Sequence, residues 1–212
     1  MSLDLYYTPG TCALAAHIAL EEAGLDYAAH FVKLYDAEAQ SAYRATIPSG
    51  KVPALRIGDA ILMENIAIMG FAALRRPGAA LLPAEPLEAA QCLSLLSWFA
   101  STVQLSRRQA RAPVRFTADA STFASLSAAG RDRFAANLLE IDARLEGRTW
   151  LVGERFTVAD GYALVFWDWA LADGFDVATL PNFAAHARRV MDRPAVRRVL
   201  ERERHPLLKR GA

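Results

Sequence analysis

The sequence predicts an α/β unit followed by an all-helical one, and three observations point there. Short apolar runs of strand length alternate with helical spacing through the first 76 residues, prolines then crowd one segment, and no strand pattern recurs after Leu87. The expected division is therefore an α/β domain over 1–76, a linker over 77–86 and a helical domain over 87–212.

Residues 3–7 form a short strand, and Thr8-Pro9-Gly10-Thr11 is a turn into a helix over 12–23 that Gly24 closes. A second strand is expected near 27–34 and a short polar helix over 36–45, ahead of the turn cluster Pro48-Ser49-Gly50. Strands over 54–57 and 60–63 flank Gly58-Asp59, a two-residue hairpin loop. Proline cannot donate to a ladder, so Pro53 belongs at the edge or first position of its strand, where a cis Val52-Pro53 bond turns the Val52 N–H and C=O outward. Glu64-Asn65 then interrupts the apolar run and helical spacing resumes. That puts Asn65 at or near a helix N-terminus, where unpaired N–H groups favour an anionic ligand group. The order β-α-β-α-β-β-α implies a mixed four-stranded sheet with a right-handed first crossover.

Arg76-Pro77-Gly78, Pro83 and Pro86 make the next segment too rich in proline for a helix. Helical segments follow over 87–110, 123–146, 158–173, 181–192 and 194–204, a bundle without internal repeat. Thr157 is placed as an N-cap with Asp160 at the third helical position and Phe156 as a hydrophobic staple, so Asp160 is assigned to folding.

Composition excludes several classes. Twenty-four basic residues against 23 acidic ones leave no whole-chain field to attract nucleic acid or an acidic membrane. Asp168 and Asp173 break the longest apolar run below membrane-spanning length, and no basic-then-apolar leader opens the chain. Two cysteines cannot make a disulfide framework and suit a reducing cytoplasm, while His17, His30, His186 and His205 lack ligand spacing, so no metal is expected.

The chemistry concentrates at the first turn. Cys92 sits among leucines on a helical stretch and is assigned to the core. Cys12 opens a helix, where the macrodipole and nearby N–H groups lower a thiol pKa, a setting that suits a thiolate or a partner to one. Ala15 stands where a second redox cysteine would be needed, which rules out a dithiol cycle. Tyr7 and Thr8 offer hydroxyls to the same sulfur, and Tyr7 is the second catalytic candidate, with strand packing as its plainer role.

Taken in order, YYTPGTC, SGKVPAL, LMENIAI, the proline linker and FTVADGYAL resemble the glutathione transferases over nearly the whole chain, and the opening resembles the bacterial beta class, which carries a cysteine at the Cys12 position. The resemblance implies a thioredoxin-like N-terminal domain, a cis Val52-Pro53 bond and a homodimer. It also implies a glutathione site in which Val52 pairs with the cysteinyl backbone beside Cys12, Lys51 faces the glycyl carboxylate, and Glu64 and Asn65 receive the γ-glutamyl end. Asn65 departs from the small residue usual there. Counting from Trp98, the asparagine and histidine-lysine positions of the beta class read Ala100 and Arg107-Arg108. Arg107, Arg111 and Arg115 share a helical face that is either a solvated basic surface or a cationic wall beside the glutathione carboxylates or an acidic second substrate, with Pro113 bending the helix toward it. Tyr162, Trp169, Phe116 and Arg111 are the expected second-substrate pocket.

The function this implies is conjugation of the glutathione thiolate to a hydrophobic electrophile. The alternatives are thiol transfer or peroxidase chemistry through a Cys12 mixed disulfide, and a non-catalytic binding protein of the same fold.

Overall fold

The computed structural model describes residues 2–210. Strand β1 (Leu3–Tyr7) sits inside the sheet, pairing parallel with β2 (Ala28–Phe31) and antiparallel with β3 (Ala54–Ile57). Gly58-Asp59 closes the hairpin from β3 to β4 (Ala60–Met63), which gives the mixed order β2-β1-β3-β4. Alternation along β1 sends Leu3 and Leu5 into the large core and Tyr6 to a smaller cluster on the opposite face. The strand expected near 27–34 is shorter because β2 is an edge strand paired only with β1, and the ladder ends one bond later at Val32 N–H to Tyr7 O.

Helix α1 (Ala13–Glu22) buries every residue from Ala13 to Leu20, because α3 (Asn65–Arg75) and two helices of the second half all pack on it. Its four alanines there let the neighbouring backbones approach closely. Helix α2 (Ala37–Thr46), capped by the Asp36 carboxylate on Ala39 N–H at 2.8 Å, covers the other face through Tyr43.

The expected helix over 87–110 is broken into three parts: α4 (Pro86–Trp98), a π-helical turn (Phe99–Val103) and α5 (Gln104–Arg111). Pro113 does not bend this helix but ends it, since the chain leaves helical geometry at Ala112 (φ −145°, ψ 60°), the residue a following proline disfavours in a helix. Helix α6 (Phe123–Arg144) packs tightly on α5 at Gly130, where an added Cβ would lie 2.5 Å from Ala110 N. Helix α7 (Val158–Ala172) is buried on all sides through Ala170 and so runs through the centre of the helical domain. Helices α8 (Pro181–Met191) and α9 (Pro194–Arg202) come next, and a last turn, α10 (Leu207–Arg210), was not expected from the sequence.

The two halves are tied by buried polar contacts as well as apolar packing. His17 Nδ1 meets Glu203 Oε1 at 2.6 Å with both side chains fully buried, and Arg193 grips Glu22 through Nε and Nη2 at 2.6 and 2.8 Å. No helix among the described residues is long and apolar enough to cross a membrane, and no group of three or more His, Cys, Asp or Glu there is placed to hold a metal ion.

Candidate active site

Four segments converge on Cys12. The turn before it reverses at Gly10, whose φ of +74° suits glycine, and Cys12 takes the N-cap position of α1 without capping by its side chain. Its Sγ lies 4.0 Å from Val52 O, just before the cis Val52-Pro53 bond. Tyr43 Oη donates to Lys51 O at 2.9 Å and so fixes the approach to Val52, while the Lys51 side chain stays exposed. Among the described residues the Val52 N–H finds no partner, which leaves a strand-like edge open beside the thiol.

The third segment is the start of α3. Glu64 is its N-cap with φ +71°, a conformation that costs a non-glycine residue roughly 1–3 kcal/mol and is kept where the surrounding structure enforces it. No side chain caps this helix, and Asn65 is buried with its Oδ1 unpaired. An uncapped helix start beside an orphaned amide oxygen offers N–H donors to an anion and one acceptor to a cation.

The fourth segment joins Tyr162, expected near the second substrate, to Gln104, which the sequence does not single out. Tyr162 on α7 is 1% exposed and donates its hydroxyl to Gln104 Oε1 at 2.6 Å, which leaves the Gln104 amide N–H groups free for the site. Counting from Trp98 singles out Ala100, whereas the side chain that meets Tyr162 is Gln104, the first residue after the π turn. Only the side-chain register, which spacing does not reveal, distinguishes the two.

Electrostatics favour the partner role for Cys12 over the thiolate. Burial pushes its thiol up, and although the charge of Arg108 and hydrogen bonding from Asn65 and Gln104 oppose this, they do not prevail. Cys12 is thus a protonated donor at neutral pH rather than a preformed thiolate. Burial also raises Tyr162, helped by the neighbouring Cys12 and Glu64.

Several expected residues lie elsewhere. Tyr7 is not in the cluster: its ring packs on His17 with centroids 4.9 Å apart, and the charges acting on its hydroxyl are those of Glu203 and Arg202. The cause is strand alternation, which points the end of β1 under α1 and away from the turn. Arg107 is turned from the thiol as well, donating through Nε and Nη2 to Asp173 at 2.7 and 3.1 Å and stacking on Trp169 at 4.3 Å. Arg111 follows it toward Asp173 at 3.8 Å, so Arg108 is the arginine of this helix that acts on Cys12. Trp169 is 5% exposed and backs the turn instead of lining a cleft, donating Nε1–H to Gly10 O at 3.0 Å. Gly10 N–H in turn reaches His205 Nε2 at 3.2 Å, so α7 and the C-terminal segment clamp the Cys12 turn from both sides. Phe116 lies beyond Pro113, 41% exposed, with no hydrogen bond or ring contact to the cluster among the described residues.

Residues 1–73 match the family model "Glutathione S-transferase, N-terminal domain" and residues 115–194 match "Glutathione S-transferase, C-terminal domain". A glutathione S-transferase of Escherichia coli O157:H7 is 30% identical over 95% of this chain and 98% of its own length. A glutathione transferase homolog from Sulfitobacter, solved with bound glutathione, superposes with a TM-score of 0.88 at 32% identity, covering 95% of this chain and 98% of that one. The bacterial beta-class enzyme of Sphingomonas chungbukensis superposes at 0.83 with 32% identity over 94% and 98%. With a thioredoxin-like sheet carrying the Cys12 turn and a helical domain behind it, the chain belongs to the glutathione S-transferase family of transferase enzymes.

Proposed function

We propose that the chain binds glutathione across the Cys12 turn, the Val52 edge and the start of α3, and conjugates it to a hydrophobic electrophile. The observation that carries this is the uncapped, strained start of α3 with Asn65 Oδ1 buried and unpaired next to Cys12. A γ-glutamyl group supplies both missing partners, its carboxylate for the helix N–H groups and its ammonium for Asn65 Oδ1 and the Glu64 carboxylate. The cysteinyl backbone then extends the open edge at Val52, with Pro53 fixing the turn, and Lys51, exposed at the outer end, meets the glycyl carboxylate.

In this arrangement the ligand's sulfur lies against Cys12 and the Gln104 amide. Their N–H and S–H donors, with the Arg108 charge behind them, favour the glutathione thiolate over the thiol. The thiol proton leaves to solvent, the thiolate forms a carbon–sulfur bond, and the carbon–halogen bond of a substrate such as an aryl halide breaks with halide carrying away the electron pair. The electrophile sits against the helical domain beside the Cys12 turn, with the buried Tyr162 as backing. Exposed leucines on α3 and α4, among them Leu74 and Leu87, supply an apolar face for pairing as a homodimer. Two unpaired cysteines fit a cytoplasmic location.

A protonated Cys12 favours conjugation over thiol transfer, because a mixed disulfide requires the cysteine as thiolate. Turnover of an aryl halide and of a glutathione-reducible disulfide by the wild type, Cys12→Ser and Cys12→Ala separates the two. Conjugation retained in the serine variant, which keeps a donor, and reduced in the alanine variant supports the proposal. Disulfide turnover that dominates and vanishes in both variants favours thiol transfer, and the absence of either activity favours a binding protein.

A further inference from the structure

Helix α5 carries two stripes of polar side chains, and only one of them is spent within the chain. Arg107 and Arg111, four residues apart, both turn to Asp173. Gln104 and Arg108, also four apart, form the neighbouring stripe, and Gln104 already stands in the site as the acceptor of the Tyr162 hydroxyl at 2.6 Å. Side chains of a helix lean toward its N-terminus, so Arg108 reaches back over the turn that carries Gln104. Its guanidinium is exposed and joins no ion pair or hydrogen bond among the described residues. Asn65 and Gln104 act on the Cys12 thiol by hydrogen bonding, whereas Arg108 acts on it by charge alone, which leaves its donor fork unspent.

From this placement we infer that Arg108 is a specificity-determining residue, and that the electrophile carries an anionic group, such as a carboxylate, on its apolar body. The inference rests on the proposed conjugation of glutathione and names its substrate class. Glutathione leaves no anionic group for the fork, because its γ-glutamyl carboxylate goes to the start of α3 and its glycyl carboxylate to Lys51. Glu64, the carboxylate whose charge also reaches Tyr162, goes to the glutathione ammonium and forms no ion pair with Arg108 among the described residues. A guanidinium fork pairs with a carboxylate through two parallel hydrogen bonds, and its charge offsets the repulsion between that carboxylate and the glutathione thiolate. The chemistry is otherwise unchanged: the thiolate forms the carbon–sulfur bond and the leaving group departs with its electron pair.

The test compares 4-chloro-3,5-dinitrobenzoate with 4-chloro-3,5-dinitrobenzamide, which differ in charge and share the displaced chloride. Each kcat/KM with glutathione is divided by the uncatalysed rate constant of the same compound, which removes their difference in intrinsic reactivity. The expected result is a preference for the acid of about fivefold in the wild type, the scale of one exposed ion pair. Arg108→Gln should bring the ratio within about twofold of unity, Arg108→Lys should keep part of the preference, and Arg111→Gln should keep all of it. Both substrates lose equally when the thiolate loses the Arg108 charge, so the ratio reports the charge of the substrate alone. Calorimetry of 3,5-dinitrobenzoate and 3,5-dinitrobenzamide on the glutathione-saturated chain reads the same preference without turnover. Equal corrected rates for acid and amide, or a ratio that Arg108→Gln leaves in place, overturn the inference while conjugation stands. Selective binding of the acid without turnover overturns conjugation and keeps the role of Arg108, and equal binding without turnover overturns both.

Discussion

Two helix starts in this molecule meet the same physical demand in opposite ways. At α7 the Asp160 carboxylate accepts from Thr157 N–H at 2.7 Å, Thr157 Oγ1 at 3.0 Å and Leu151 N–H at 2.9 Å, and meets His186 Nε2 at 2.8 Å. At α3 no side chain caps the helix, the N-cap residue Glu64 is held at positive φ, and Asn65 Oδ1 is left bare. A buried carboxylate whose two oxygens are both used by its own chain holds the fold together. A buried amide whose oxygen is unused, beside strained backbone, is arranged for something that arrives from outside.

Substitutions at the two starts sharpen this contrast. Asp160→Ala carries the largest expected effect, a loss of about 3–5 kcal/mol in urea denaturation, because it strands several buried donors together. A loss under about 1 kcal/mol there would place the two starts in one class and break the comparison. Glu64→Gly should act with opposite signs on stability and binding. Relief of the positive φ raises stability by about 1 kcal/mol, while loss of the carboxylate weakens glutathione binding about tenfold by calorimetry. A glycine variant that is both less stable and equally tight would remove Glu64 from the site. The smallest effect concerns the uncapped start at Cys12. Since burial holds its thiol above the ordinary value of 9.0, alkylation by iodoacetamide should keep accelerating as pH rises past 9, and a plateau below neutral pH would restore the thiolate that helix position alone predicts.

Local chemistry explains the features that are legible in the sequence. The Gly58-Asp59 loop sets the register of β3 with β4, and Thr157 with Asp160 marks the start of α7, because each signal lies within a few residues of its effect. Resemblance to known transferases points to Val52, Glu64 and Asn65, which the structure brings to one side of the Cys12 turn. The features that escape the sequence depend on distant partners. Tyr7 and Thr8 adjoin the turn in sequence, yet Tyr7 packs on His17 under α1, and no local rule reports that. Arg107 is claimed by Asp173, 66 residues away, and Gln104 is held by Tyr162, 58 residues away. The protonated state of the Cys12 thiol escapes the sequence for the same reason. Its helix position is local, but the burial that outweighs it depends on packing against the large core.

A crystal structure of the chain soaked with glutathione tests the contrast between the two helix starts most directly. The account predicts the γ-glutamyl carboxylate on the first-turn N–H groups of α3, the ammonium at Asn65 Oδ1, the cysteinyl backbone paired with Val52, and the sulfur beside Cys12. Glutathione bound elsewhere, with the start of α3 capped by a residue of the chain itself, would contradict it.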